Sequence, residues 1–285
     1  MAFDVISRRD HLGESPQWLP DSRRLVWIDM PAGLVHLLDP ESGDREVLAF
    51  HPPIGFVVPR ANGGLVVGEG MSVLLVERDG RSRTLVSIAA RHEGERLNDA
   101  VCDAQGRLWV GTLVSPRKPG GARLLVIDGD GSVTEVLDGL TISNGMDWAD
   151  GDLLHVDTPT GRVDRYRVDA ESGALSGRST VVQIEPEDGM PDGLTVDLDG
   201  GIWVALYGGG EVRRYRADGS LDGRVPLPIT GVTSLMFGGS DLGDLYVTTA
   251  RYKLTDAQVE AQPLAGAVLR LRPGVRGRPQ YAFSG

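Results

Sequence analysis

The sequence predicts an all-β chain, residues 1–285 forming one domain, wound into a six-bladed β-propeller with four strands per blade and an N-terminal strand closing the last blade. Three observations carry this: a pattern written repeatedly, a nearly constant spacing between its copies, and short β-rich runs divided by glycine turns. The pattern is plainest in residues 189–207, GMPDGLTVDLDGGIWVALY, and residues 97–112, LNDAVCDAQGRLWVGT. Placing Asp103, Gly106 and Trp109 over Asp197, Gly200 and Trp203 brings Asn98 to the position of Asp192.

Taken in order, the copies extend through the chain. GESPQWLPDSRRLVWID (13–29) supplies Glu14, with a turn longer by two residues, and IGFVVPRANGGLVVG (54–68) supplies Gly55. After Asn98 come SNGMDWADGDLLHVDT (143–158) with Asn144, then Asp192, then TSLMFGGSDLGDLYVTT (233–249) with Thr233. The separations are 41, 43, 46, 48 and 41 residues, within the range for propeller blades. A solenoid can share that period. Each copy, however, is a hairpin followed by stretches such as residues 161–184 that read as two further strands, which makes one blade.

FDVIS (3–7) precedes the first copy, and the last copy runs out after GAVLRLRP (266–273). The early strand is therefore expected to complete the last blade and leave few open edges. LTDAQVEA (254–261) is the only stretch with helical character. Trp27, Trp109, Trp203 and Tyr246 recur on the second strand of the hairpin and are expected to pack between blades.

A formal charge of −11 argues against nucleic acid, which requires clustered Lys and Arg. Most of the 40 acidic residues fall in turns such as DGDG (128–131), where water solvates them. Cys102 is the only cysteine, so no intrachain disulfide can form, and a buried inert thiol is expected. MAFDVISRRDH lacks a basic start with an apolar stretch behind it, and no run has membrane-spanning length. The expectation is a soluble, cytoplasmic protein, monomeric or weakly self-associating, with no membrane partner.

In a propeller the innermost strands line the central channel, so matching positions of the copies form a ring. Glu14, Asn98, Asn144 and Asp192 bring side-chain oxygens to it. Oxygen donors without histidine or thiolate suit a hard cation such as Ca²⁺, Mg²⁺ or Mn²⁺. Channel water could satisfy the same groups; the cation is favoured because two facing carboxylates repel unless neutralised. Other constellations are weaker. Asp197-Leu-Asp199-Gly200 and Asp128-Gly-Asp130-Gly131 resemble the start of a calcium loop but lack its closing glutamate, and hairpin turns explain them. There is no G-x-S-x-G elbow, and His11, His36, His51, His92 and His155 have no paired-ligand spacing.

Four motifs together resemble the SMP-30/gluconolactonase/luciferin-regenerating family: Gly13-Glu14-Ser15-Pro16 with Trp18, Arg96-Leu97-Asn98-Asp99, Ile142-Ser143-Asn144-Gly145-Met146, and Pro191-Asp192-Gly193. They span nearly the whole chain in order. The resemblance implies a metal-dependent lactonase that opens a sugar lactone to its acid. It implies Glu14, Asn144 and Asp192 as ligands of one divalent cation (Ca, Mg, Mn or Zn, with Ca favoured), and Arg96 and Asn98 as substrate contacts. Asp192 is then the catalytic base, unless water acidified by the cation supplies that function. Members of the family often carry an acid after the strand equivalent to Leu108–Thr112; here residues 113–127 offer Arg117, Lys118 and Arg123 instead. Those residues are either a solvated loop or an adaptation to an anionic or unusual lactone. The competing activities are an arylesterase or phosphotriesterase and a non-enzymatic cation-binding propeller.

Overall fold

Asp197 shows how one copy of the repeat makes a hairpin. Its Oδ1 accepts from the amides of Asp199 and Gly201 at 3.0 and 2.7 Å, and Gly200 closes the turn at φ +80°. That conformation costs glycine least. Its Oδ2 accepts from the Trp203 indole at 2.8 Å and from Arg214 at 2.7 Å. Asp103 repeats the device, holding the Gln105 and Arg107 amides at 3.0 and 2.9 Å and the Trp109 indole at 2.9 Å. The Asp-Leu-Asp-Gly stretch is therefore a turn that also fixes its tryptophan.

The computed structural model describes residues 2–7 and 9–285, which form six four-stranded antiparallel sheets. The inner strands of blades 1 to 6 are Gly13–Leu19, Ile54–Pro59, Glu95–Cys102, Ser143–Ala149, Met190–Val196 and Val232–Gly238. Each touches the inner strand of the next blade, and that of blade 6 touches that of blade 1, which closes the ring. Phe3–Ser7 forms the outer strand of blade 6, pairing Phe3 with Leu271 and Val5 with Leu269. The expected closure is thus observed. The helical stretch narrows to Asp256–Ala261, where Thr255 and Gln258 make a reciprocal capping box.

The blades adhere through large apolar side chains. Trp109 meets Trp148 of blade 4 edge-on at 5.4 Å, Trp203 meets Phe237 of blade 6 at 6.0 Å, and Tyr246 stacks on Trp18 of blade 1 at 5.9 Å. Cys102 is buried in the blade 2–3 core, and burial pushes its thiol up, which keeps it inert. Among the described residues no helix is long and apolar enough to cross a membrane.

The chain after blade 6 crosses the lower face, where the inner strands end. Gly277 donates to Leu242 O, Phe283 to Pro59 O and Ser284 to Gly106 O, at 2.8, 2.9 and 2.9 Å. Phe283 is fully buried there. No copy of the repeat foreshadows this segment.

Candidate active site

Every inner strand carries one extra residue near its upper end. Glu14 faces Ile28 and Gln17 faces Val26, three steps against two; the same slip follows Ile54, Leu97, Ser143 and Pro191, and after Val232 it is two steps against one. A bulge repeated this way re-aims side chains at one level of the channel. Glycine lets the bulged strands meet. A Cβ on Gly55 would lie 2.4 Å from Leu97 O, one on Gly145 2.4 Å from Asp192 O, and one on Gly193 2.2 Å from Ser234 Oγ. Gly55 therefore occupies its ring position for packing and leaves no donor there.

The structure brings the oxygen-bearing ring residues together. Asn144 donates through Nδ2 to Asp192 Oδ1 and, at 3.1 Å, to Thr158 Oγ1. Asn98 donates to Ser143 O at 3.0 Å and accepts from Arg96 Nη1 at 3.1 Å. Arg96 also donates to Leu97 O at 2.9 Å, so part of its guanidinium is committed to the wall. Behind the ring, Ser143 Oγ is 2.8 Å from His155 Nε2, a buried pair that supports the strand between Asn98 and Asn144. Thr233 turns sideways and donates to Gly13 O at 2.6 Å, a link between blades 6 and 1.

Electrostatics set this site apart. Glu14 keeps some surface open to the channel, yet protein crowds it, and burial followed by repulsion from Asp192 and Asp99 raises its carboxyl well above the usual range. Burial and Asp99 do the same to Asp192. Burial pushes Asp99 up to about 6 and brings Arg96 down to about 10, with Glu14 opposing the shift in Arg96. Tyr207 is raised by burial and then by Asp192 and Glu14, which places it at the same mouth; its hydroxyl is 3.5 Å from Tyr252 O.

Asp99, Tyr207 and Tyr252 were not singled out from the repeat. The overlay allows one channel-facing residue per copy, whereas a bulge presents two in succession, Asn98 and Asp99. Only the Arg96–Asp99 motif hinted at the second. The tyrosines lie at a strand end and in the blade 6 insertion, outside the ring register. Arg123 belongs to the architecture: it pairs with Glu95 at 2.8 Å and donates to Ala89 O at 2.8 Å. Arg117 is exposed, and Lys118 rests 3.0 Å from His92.

The donor set fits a hard cation. Among the described residues neither Glu14 nor Asp192 has a basic side chain within 4 Å, and Asn144 Oδ1 accepts no protein hydrogen bond. No group of three or more His, Cys, Asp or Glu side chains among the described residues could hold a metal. Any ion here thus depends on two carboxylates and an amide oxygen. A cavity of about 800 Å³ lies elsewhere, on the lower face, and contains none of these residues. Charge and convergence, rather than cavity size, mark the upper site.

Comparison with known proteins finds relatives that match along nearly the whole chain. The model of the SMP-30/gluconolactonase/LRE-like region matches residues 12–251. Pentonolactonase XacC of Haloferax volcanii is 37% identical over 97% of this chain and 96% of its own. Regucalcin of Danio rerio is 33% identical over 99% of this chain and 97% of its own. The crystal structure of a regucalcin from Agrobacterium tumefaciens, described as a calcium-binding protein, superposes with a TM-score of 0.94 at 26% identity, covering 100% and 98% of the two chains.

Proposed function

The chain belongs to the SMP-30/gluconolactonase/LRE-like family, and from that premise we propose that it hydrolyses an aldonolactone to the sugar acid, using one divalent cation held by Glu14, Asn144 and Asp192. The observation that carries the reading is the pair of crowded carboxylates, half-buried Glu14 and buried Asp192, which repel each other with no basic side chain within 4 Å among the described residues. Ca²⁺ is the favoured ion, given oxygen donors and the calcium-binding description of the Agrobacterium relative. When bound, such a cation supplies a Lewis acid that polarises the lactone carbonyl and offsets the developing oxyanion charge.

The chain's own residues perform the rest. Arg96 has guanidinium nitrogens left over from its bonds to Leu97 and Asn98, and these can grip substrate hydroxyls at the mouth. Asn98, fixed by Ser143 O, keeps a second amide N–H for the same task. Water oxygen adds to the lactone carbonyl carbon and its proton passes to Asp192. The ring carbon–oxygen bond then breaks, and the departing ring oxygen takes up the proton to leave a hydroxy acid. Burial, and then Asp99, push the Asp192 carboxyl upward, a direction that favours accepting the proton and that the charge of a bound cation would oppose.

A pH-monitored screen of pentonolactones and hexonolactones, run beside aryl esters and phosphotriesters, tests the substrate class. Turnover of the lactones well above the esters is expected, in line with the named activity of the Haloferax relative. Preferential turnover of aryl esters or phosphotriesters would replace this reading with the alternative activity, and no hydrolysis across the panel would favour a binding protein.

A further inference from the structure

The segment that crosses the lower face leaves one sector open. Its hydrogen bonds reach Leu242 of blade 6, Leu198 of blade 5, Trp148 of blade 4, Gly106 of blade 3 and Pro59 of blade 2. Among the described residues none reaches blade 1. Between the segment and blade 1 lies the cavity of about 800 Å³, within the size range of small-molecule sites.

Its lining is divided by chemistry. Trp18, Leu37, Leu48, Leu65, Val76 and Phe237 supply an apolar floor. The edge carries Arg23, Arg24, Arg60, Arg78 and Arg278 against Asp21, Glu46 and Glu77. Glu46 neutralises Arg24 at 3.0 Å and Glu77 neutralises Arg60 at 3.1 Å. Arg78 has no carboxylate within 4 Å among the described residues, and its guanidinium lies over Gly63. Arg278 donates through Nη2 to Trp148 O and reaches Asp147 at 3.8 Å, while its side chain stays partly exposed at the cavity edge. On a chain of net charge −11, surplus arginine above an apolar floor opposes the overall sign of the protein.

We propose that this cavity binds a small amphipathic carboxylate, its apolar chain on the Trp18–Phe237 floor and its carboxylate at Arg78 and Arg278. The site lies at the opposite end of the inner strands from Glu14 and Asp192, so it stands whether or not the chain is a lactonase.

Calorimetric titration of the full chain with decanoate, decanol and decyltrimethylammonium, each below its aggregation concentration, tests it. Decanoate is expected to bind saturably at one site, decanol about tenfold more weakly, and the cationic amphiphile not at all. Arg78→Glu, an exposed change, should weaken decanoate by about tenfold and leave decanol unchanged. Leu48→Trp, which fills the floor, should abolish both. Equal binding of all three amphiphiles, no saturable binding, or decanoate affinity unchanged in Arg78→Glu would overturn the assignment. So would self-association through this face that excludes decanoate, seen by sedimentation.

Discussion

Glu14 and Asp192 repel each other inside the channel, and that single fact makes their substitutions informative. Glu14→Gln and Asp192→Asn each remove one charge without removing bulk. Both are expected to lower cation affinity and lactone turnover by at least about a hundredfold, as judged by calorimetry and by rate. Asn98→Ala should behave differently, retaining the cation while KM rises or kcat falls, because its amide faces substrate in the proposed reading. His155 acts one step further back, through Ser143. His155→Ala should weaken cation affinity by about 10-fold to 100-fold, with partial recovery in His155→Gln; an unchanged affinity would confine the pair to packing. Glu14, Asn98, Asn144 and Asp192 were legible in the sequence because a repeat converts one position into a ring. Asp99 was not, because an extra residue per strand appears only once the pairing is known.

At the level of elements, the seams between blades carry both stability and pH dependence. Trp109 is fully buried against Trp148, and Trp109→Ala is expected to cost about 3–5 kcal/mol in denaturant unfolding. Asp10 occupies the seam between blades 6 and 1, accepting from the Trp27 indole at 2.8 Å and standing 3.5 Å from His36 Nε2. Asp29, Arg45 and Arg251 also face it. Burial pushes Asp10 up to about 7, while burial followed by Arg45 brings His36 down to about 4, so at neutral pH His36 is neutral and Asp10 is in mid-titration. Because the folded-state value of Asp10 lies above its unfolded one, its stabilising contribution is complete below about pH 4 and is lost as pH rises through 7. Asp10→Asn should therefore gain melting temperature relative to the parent as pH goes from 5 to 8, by several degrees. A difference independent of pH would contradict the assignment. The tryptophan positions announced these seams in the sequence; Asp10 did not, since it precedes the first copy and its partners come from three separate stretches of chain.

For the molecule as a whole, closure depends on the two ends of the chain. Phe3–Ser7 covers the edge of Val268–Leu271, and Arg270 binds Asp4 at 3.1 Å across that pairing. Removing residues 2–7 should expose an unpaired edge, lower the melting temperature and promote aggregation, measurable by light scattering on heating. This closure could be read from the sequence because the last copy visibly lacked a strand. The lower-face segment could not, since its partners are turns as distant as Gly106 from Ser284 and it repeats nothing. The fold thus leaves the upper channel end as the place where charge converges. The most direct test is lactone hydrolysis by chelator-treated protein, measured while a divalent cation is titrated back and its binding is followed in parallel. Background rates are expected without cation, and recovery that saturates at one equivalent in the parent chain but fails in Glu14→Gln. Full activity in the stripped protein, or an undiminished response in Glu14→Gln, would rule out a cation held by Glu14.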